Sequence, residues 1–452
     1  MNIIIAGCGK VGTTLGEQLV GEHHEVTFID TSTEALKKLI GSIDVQVIEG
    51  NCTVYSTLKE AGIEHADLFI AVTDSDEINL LSCLIAKKAA NCHTVARVRN
   101  PEYNYDIQFI KHELGLSLTI NPEFATASEI ARLIQIPSAM EVDSFANNRV
   151  NMIRFLIPAG SVLDDMRISE VGGRFKGRFL ICVIERNHEI IIPRGDVILR
   201  KGDNISVIMP FTEISKMCCE VGIQTRNIKN VMIAGGGTMS YYLAGMLTKM
   251  NVNVKIIEMD RKRCERLSVL LPKAMIINGD ATDSKLLEEE GISSMDAFVA
   301  LTGFDEENLF LALHTRKVAN LKNIVKINRI KYEGLNDELN VGSVVSPKFI
   351  TTEFILQYVR AMSNSKNSSN IETLYKLMDG RVEALEFMVD ETKGLTGVKL
   401  QDLRLKKNLL LCCINRGGRL ITPSGQDSLM PGDSVIVVTT HLGLKKLTDI
   451  LI

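Results

Sequence analysis

A chain of 452 residues that repeats itself almost end to end must fold as tandem copies of one unit. The opening run IIIAGCGKVGTTLGEQL, Ile3–Leu19, returns as VMIAGGGTMSYYLAGML, Val231–Leu247. Phe28-Ile29-Asp30 recurs as Ile256-Ile257-Glu258 at the same displacement, and Gly50-Asn51-Cys52-Thr53 as Gly279-Asp280-Ala281-Thr282 one position later. ADLFIAVTDSDEINL, Ala66–Leu80, matches MDAFVALTGFDEENL, Met295–Leu309. An independent match lies outside these stretches: Pro193-Arg194-Gly195 followed by Gly202-Asp203 recurs as Pro423-Ser424-Gly425 followed by Gly432-Asp433. The order is large lobe, small module, large lobe, small module, with expected bounds at 1–136, 140–222, 228–361 and 371–452.

Each large lobe alternates short apolar runs with helical stretches. In the first, strands are expected at Asn2–Ala6, Glu25–Ile29, Val45–Ile48, Asp67–Val72, Thr94–Val98 and Ser117–Ile120, with helices such as Val11–Val20 and Ser75–Ala90 between them. Continuous Ile/Val/Ala runs alternating with helices imply a parallel sheet covered on both faces. Six such strands make a complete Rossmann-like, doubly wound α/β lobe. The modules read as small α+β units. In the first, Met152–Ile157, Phe179–Glu185, Glu189–Ile192 and Asn204–Met209 look like strands with one helix after them, and Gly202-Asp203 suits a hairpin-like reversal. At roughly 75 residues a module is small for a substrate domain. Two segments read as linkers, 222–230 and the Ser/Asn-rich 362–370.

The chemistry lies in two glycine-rich turns. Gly7-x-Gly9-x-x-Gly12 follows an apolar strand and opens a helix, and Asp30 ends the next strand. Gly7 permits the tight turn, Gly9 lets a pyrophosphate approach the backbone, and Gly12 lets the helix pack on the sheet. The helix N-terminus offers N–H groups and partial positive charge to phosphates. Asp30 is placed to accept from a ribose 2′-hydroxyl, which favours NAD over a 2′-phosphorylated ligand. In the second copy, Gly235-Gly236-Gly237-Thr238-Met239-Ser240, Ser240 replaces the third glycine and Glu258 replaces Asp30 with a longer reach. Thr73-Asp74-Ser75 and Thr302-Gly303-Phe304 end the fourth strands, at the edge where ligands of such sheets bind. Asp76-Glu77 and Asp305-Glu306 read either as part of that edge or as helix N-terminal acids. Arg97 and Arg99 are near enough to reach a phosphate; Lys326 and Asn328 stand in their places in the second copy.

Composition removes other classes. Lys and Arg number 51 against 55 Asp and Glu, so nothing drives binding to nucleic acid or anionic lipid. No apolar run approaches the ~18 residues of a membrane helix. Met1-Asn2 runs straight into a strand with no secretory leader pattern, so the expectation is a cytosolic protein. The ten cysteines show no C-x-x-C spacing; Cys182, Cys218, Cys219, Cys412 and Cys413 sit in apolar segments and read as core residues. The eight histidines form no i,i+4 pair, so neither a metal site nor a His-based catalytic centre is expected.

The sequence resembles the TrkA family, the peripheral cytosolic subunits of Trk-type potassium uptake systems. The residues that carry this are AGCGKVG at 6–12, IDTS at 29–32, AVTDSDEIN at 71–79 and ARVRNPEY at 96–103, then AGGGTMS at 234–240, NGDATD at 278–283 and ALTGFDEEN at 300–308. The resemblance implies two tandem RCK (KTN) units and a non-enzymatic regulator that binds NAD(H), ATP or ADP. It further implies a homotetramer docked on the cytoplasmic face of a membrane potassium transporter. By position, nucleotide contacts would fall on Gly7, Cys8, Gly9, Lys10, Val11, Gly12, Asp30, Asn51, Cys52, Thr73, Asp74 and Arg99. In the second lobe they would fall on Gly235, Gly236, Gly237, Thr238, Met239, Glu258, Asp280, Ala281 and Thr302. Ser240 and Asn328 depart from the first-half pattern, so the two sites are expected to be unequal. The rival readings are an NAD-dependent oxidoreductase and an RCK-type regulator of another cation channel or antiporter.

Overall fold

The computed structural model describes residues 1–136, 139, 141–145, 150–175, 179–210, 213–222, 228–319, 321–328, 341–366, 371–378, 380–391, 395–444 and 446–452. Much of both expected linkers, 223–227 and 367–370, lies outside the described residues. The chain forms two compact units that do not follow chain order. One holds Met1–Ala131, Lys229–Lys331 and Val344–Leu356, hence both large lobes; the other holds Arg132–Ile228, Tyr332–Ser343 and Gln357–Ile452, hence both small modules.

In the lobe unit the first sheet comprises β1 (Asn2–Ala6), β2 (Glu25–Asp30), β3 (Gln46–Glu49), β4 (Leu68–Ala71), β5 (His93–Arg97) and β6 (Leu118–Ile120). Its strands lie in the order β3-β2-β1-β4-β5-β6, paired in parallel. The order reverses between β1 and β4, which opens the crevice in which ligands of doubly wound sheets bind. The expected strands match these to within a residue or two. Helix Asp76–Ala89 begins where the Ser75 hydroxyl accepts from the Ile78 N–H, with acids in its first turn and Lys87 and Lys88 in its last.

The second lobe repeats the pattern one for one. The first small module lies between the two lobes in the chain and supplies the next five strands. That module contributes β7 (Glu141–Phe145), β8 (Val150–Leu156), β9 (Leu180–Arg186), β10 (Glu189–Ile191) and β11 (Asn204–Met209). The second lobe has β12 (Asn230–Ala234), β13 (Asn253–Glu258), β14 (Met275–Asn278), β15 (Ala297–Ala300), β16 (Lys322–Lys326) and β17 (Ser343–Val345), ordered β14-β13-β12-β15-β16-β17. Within the unit the lobes touch: the Tyr242 hydroxyl donates to the Arg99 carbonyl at 3.4 Å, accepts from Asn121 at 3.0 Å, and its ring meets Phe124 edge-on at 5.4 Å.

In the module unit, β7–β11 form an antiparallel sheet ordered β10-β9-β11-β8-β7. The second module has β18 (Ile371–Leu377), β19 (Val382–Met388), β20 (Leu409–Arg416), β21 (Arg419–Ile421) and β22 (Ser434–Thr439), ordered β18-β19-β22-β20-β21. Antiparallel strands with one wet face alternate apolar and polar residues, yet β22 is buried throughout and β9 and β11 nearly so. The reason is a shared core: Val150, Met152, Cys182 and Ile208 of one module pack with Val382, Ala384, Cys412, Ile436 and Val438 of the other. Cys182 and its repeat equivalent Cys412 thus meet in one cluster. Beside it Glu185 binds Arg154 at 2.5 Å and, across the modules, Arg381 at 2.6 Å; Arg381 also donates to the His188 carbonyl at 2.6 Å.

The Gly-Asp signature is not a hairpin between two strands. It is a four-residue turn entering β11, closed by the Asp203 N–H on the Arg200 carbonyl at 3.1 Å, with Gly202 at φ +85°. The buried Asp203 carboxylate takes Nε and Nη2 of Arg186, each at 2.7 Å, and Arg416 clasps Asp433 the same way at 2.9 and 2.8 Å. The signature therefore records an arginine fork one strand away. Three further corrections apply. Sequence reading of the first module missed β7, and it missed the helix Ile168–Arg174. Cys219 is exposed, whereas Cys182, Cys218, Cys412 and Cys413 are buried as expected.

Candidate functional site

The first glycine turn has the shape its sequence demands. Gly7 stands at φ +109°, and a Cβ there would meet the Thr73 nitrogen and Val72 carbonyl at 3.0 Å. A Cβ on Gly12 would lie 2.0 Å from the Gly7 oxygen, which no side chain tolerates. A Cβ on Gly9 would meet nothing within 4 Å, so this face is open. Helix Lys10–Gly21 starts at Gly9 with no side-chain cap and no acid in its first turn. Its first N–H groups and partial positive charge therefore face that opening. Lys10 is exposed there, while Val11 turns its side chain into the core.

Asp30 braces the turn. Its carboxylate accepts from the Cys8 N–H at 2.6 Å and the Ser32 N–H at 2.8 Å, and each oxygen keeps acceptor capacity for a ribose hydroxyl. The Cys8 thiol is pushed up to about 12, by burial first and then by Asp30. It is protonated at neutral pH and offers no nucleophile.

Thr73 forms the opposite wall, held by a residue that the sequence reading passed over. Asn79, fully buried, accepts from the Thr73 N–H at 2.8 Å and hydroxyl at 2.7 Å, and donates to the Arg97 carbonyl at 2.9 Å. It locks the ends of β4 and β5 together beside the β1/β4 switch point. Asp76 accepts from the Arg99 and Asn100 N–H groups, both at 2.8 Å, so it ties down the loop after β5 as well as starting its helix. Arg97 does not reach outward: it is buried and donates to the Thr73 carbonyl, and burial, with Arg99 beside it, lowers its pKa. Arg99 donates to the Asp74 carbonyl at 2.6 Å, and the Asp74 side chain is exposed. Asn51 caps its own turn, accepting from the Thr53 N–H and hydroxyl at 2.9 and 2.8 Å. Cys52 points into the core, which leaves only its backbone for a ligand.

The second site keeps this plan with an exchange of volume. Gly235 stands at φ +95°, and Gly237, like Gly9, faces open space. Ser240 fits where Gly12 stood, its hydroxyl donating to the Gly235 carbonyl at 2.5 Å. Glu258 does not reach further than Asp30. Its extra methylene occupies the room left by Gly236, whose added Cβ would meet Glu258 Cβ at 3.0 Å and Leu267 Cδ1 at 2.7 Å. Its carboxylate consequently takes the Gly236 N–H at 2.6 Å, as Asp30 takes that of Cys8. Asp260 N–H and Arg263 also bind it, at 2.8 and 3.2 Å. Thr302 is held by Asn308, its N–H and hydroxyl each at 2.9 Å. Asp280 repeats the Asn51 turn with Thr282, and Ala281 is buried like Cys52. Thr238 opens the helix Thr238–Lys249, Met239 is buried, and Lys326, its pKa lowered by burial, donates to the Leu301 carbonyl at 3.3 Å. Asn328 gives its N–H to Asp305 at 2.9 Å, so its side-chain difference from Arg99 leaves this backbone tie intact.

Comparison with known proteins follows the same duplication. The TrkA-N domain family matches residues 3–122 and 231–347, and the TrkA-C domain family residues 152–220 and 384–452. A Trk system potassium uptake protein TrkA homolog of Archaeoglobus fulgidus is 35% identical over 451 residues, covering 100% of both chains. The Trk system potassium uptake protein TrkA of Haemophilus influenzae is 34% identical over 444 residues, covering 97% of this chain and 95% of that one. Among solved structures, the GsuK RCK domain superposes with a TM-score of 0.63 at 16% identity, covering 97% of this chain and 92% of that one. The GsuK channel bound to NAD gives 0.62 at 16% identity, over 97% and 76%. GsuK bound to ADP gives 0.51 at 16% identity, over 80% and 69%. These structural likenesses concern the fold.

Proposed function

This chain belongs to the TrkA family, and on that premise we propose that it is the nucleotide-binding regulatory subunit of a membrane potassium transporter. The observation that carries the reading is the duplicated turn. In both lobes an open glycine-opened helix start is braced by an acid bonded to the turn at 2.6 Å, facing a threonine wall locked by a buried asparagine. A glycine-opened helix start beside a braced acid is the arrangement that receives a nucleotide's phosphates. The ligand is NAD(H), with ATP or ADP as alternatives. It lies against Gly7–Gly12, Asp30, Asn51, Thr73, Asp74 and Arg99 in the first lobe, and Gly235–Met239, Glu258, Asp280 and Thr302 in the second. The backbones of Cys52 and Ala281 complete the two rims.

The output is mechanical rather than chemical. A ligand drives a partner only if it binds two conformations unequally; here it alters the arrangement of lobes without being consumed, and the transporter senses the change. By reciprocity, the transporter raises nucleotide affinity by the factor by which nucleotide favours the transport-competent state. The protein acts as a homotetramer on the cytoplasmic face of the membrane. No helix among the described residues is long and apolar enough to cross it. The test is potassium flux in vesicles holding the transporter, with and without this protein, across an NADH and ATP titration. Flux that follows both protein and nucleotide supports the reading. Flux indifferent to both, with hydride transfer to some substrate, would replace it with an oxidoreductase.

A further inference from the structure

The two sites differ most where a ribose would lie. Residues 30–35 of the first lobe, Asp-Thr-Ser-Thr-Glu-Ala, contain two acids and no cation, and Glu34 is already paired with Lys38 at 2.7 Å. The matching residues 258–263, Glu-Met-Asp-Arg-Lys-Arg, contain three consecutive cations. Asp260 is committed to capping, its Oδ1 accepting from the Lys262 and Arg263 N–H groups at 2.9 and 3.2 Å. Arg261, Lys262 and Arg263 are thus the first turn of the helix Arg261–Leu270, the end at which the helix dipole disfavours positive charge. All three are exposed.

Arg263 is the informative one. Its Nη1 lies 3.2 Å from Oε2 of Glu258, the carboxylate placed to meet the ribose 2′ position. Ala35 occupies its place in the first lobe. An acid at this position rejects a 2′-phosphate by charge, whereas a nearby arginine accommodates one. In the second lobe the acid's charge is offset by that arginine; its two backbone bonds, from the Gly236 and Asp260 N–H groups, match those of Asp30 from Cys8 and Ser32, so Arg263 is what differs. A guanidinium also matches the fork geometry of a phosphate better than any other side chain.

We propose that the second lobe binds an adenine dinucleotide carrying a 2′-phosphate, the NADP class, through Arg263 supported by Arg261 and Lys262, while the first lobe takes the unphosphorylated form. This rests on the nucleotide-binding reading above. The first lobe would then report the NAD pool and the second the NADP pool, in one chain.

The test uses full-length protein and the intrinsic fluorescence of NADPH and NADH. Gly9→Val and Gly237→Val each fill the open approach of one lobe, where an added Cβ meets nothing of the protein, so the fold survives and one site closes. NADPH should bind wild type and Gly9→Val, and lose binding in Gly237→Val. Arg263→Glu should weaken NADPH by about tenfold or more, the loss of at least one charge-assisted bond, and weaken NADH at the second lobe by less than about threefold. NADH binding to Gly9→Val with NADPH excluded overturns the proposal and leaves the nucleotide reading standing. NADPH binding that is lost in Gly9→Val instead, or an equal loss of both nucleotides in Arg263→Glu, also overturns it. If Gly9→Val retains native circular dichroism and binds neither NADH, NADPH, ATP nor ADP, the second lobe is no nucleotide site and the proposal falls; the nucleotide reading falls with it only if Gly237→Val also binds none of them.

Discussion

Glu185→Gln tests whether the charged bridge between the modules stabilises their union. The carboxylate is 6% exposed and receives Arg154 and Arg381, whose side chains are 17% and 39% exposed. Burial alone would raise its pKa, but the hydrogen bond from Arg381 and the charges of both arginines win and hold it below the usual glutamate range. Glutamine keeps the shape and one acceptor oxygen and removes the charge. Hydrogen bonds to charged groups contribute about 1.5–3 kcal/mol each, roughly twice the neutral kind. Halving two of them costs about 1.5–3 kcal/mol, and the exposure of Arg381 argues for the lower half of that range. For a unit of this size about 1 kcal/mol moves Tm by roughly 2–4 °C, so the melting transition of the module unit should fall by about 3–8 °C at pH 7. The pH dependence has a definite sign. A depressed folded pKa stabilises fully above the ordinary glutamate value of about 4.3 and loses that contribution as pH falls through the lower folded value. The gap between wild type and Glu185→Gln should therefore begin to narrow as pH falls below about 4.3 and close only below the lower folded value. A double-mutant cycle with Arg381→Met isolates the inter-module part. A Tm difference under about 1 °C at pH 7, or one that persists unchanged at acid pH, refutes the argument.

Asn79→Ala should cost about 2–4 kcal/mol, because it strands the Thr73 N–H and the Arg97 carbonyl in a buried place; protection of the Thr73 amide against hydrogen exchange that survives the change would contradict this. Gly12→Ala should push the first turn open and lower NAD(H) affinity there by about tenfold or more, whereas Ser240→Gly should leave the second site's affinity within about threefold; calorimetric titration of each variant decides. Gly236→Cys imports the first lobe's residue into space that Glu258 and Leu267 occupy and should destabilise by about 1–3 kcal/mol. Adding Glu258→Asp should restore the loss, and a double variant no more stable than the single one ends the volume-exchange explanation.

The large lobes were readable from sequence because each of their requirements is local. A continuous apolar run makes a doubly covered strand, and Gly7, Gly12 and Asp30 stand at spacings set by one turn. Glu258 was misread for want of its neighbour: length alone suggested greater reach, and only the missing Cβ of Gly236 explains where the extra methylene goes. Asn79 and Asn308 were visible inside the repeated DSDEIN and FDEEN stretches, yet a buried asparagine's partners are distant in sequence and carry no periodicity. Arg97 illustrates the reverse error, a cation near a strand end that turns inward to a carbonyl. The pairing of the modules did leave a trace, the apolar run Leu409–Ile414 with no alternation, which a solvent-washed antiparallel strand would not show. What it packs against could not be read, since the other half of that core is in the preceding module. β7 escaped because it abuts a polar stretch, 146–149, that masks a short strand's pattern.

The bridge at Glu185 also bears on how such a chain came to be and why it stays whole. The repeat equivalent of Glu185 is Asn415, so the carboxylate that Arg381 binds among the described residues stands on the unlike half. Two second modules joined face to face would set that guanidinium against an amide. A single-copy module that pairs with itself about a two-fold axis must keep every contact self-complementary. Fusion lifts that obligation, because the two faces are inherited together in fixed stoichiometry and each is free to specialise for the other. Severed halves produced in one cell would accordingly seek out one another in preference to their own kind, and a substitution on one face would be cured by a change on the opposite one.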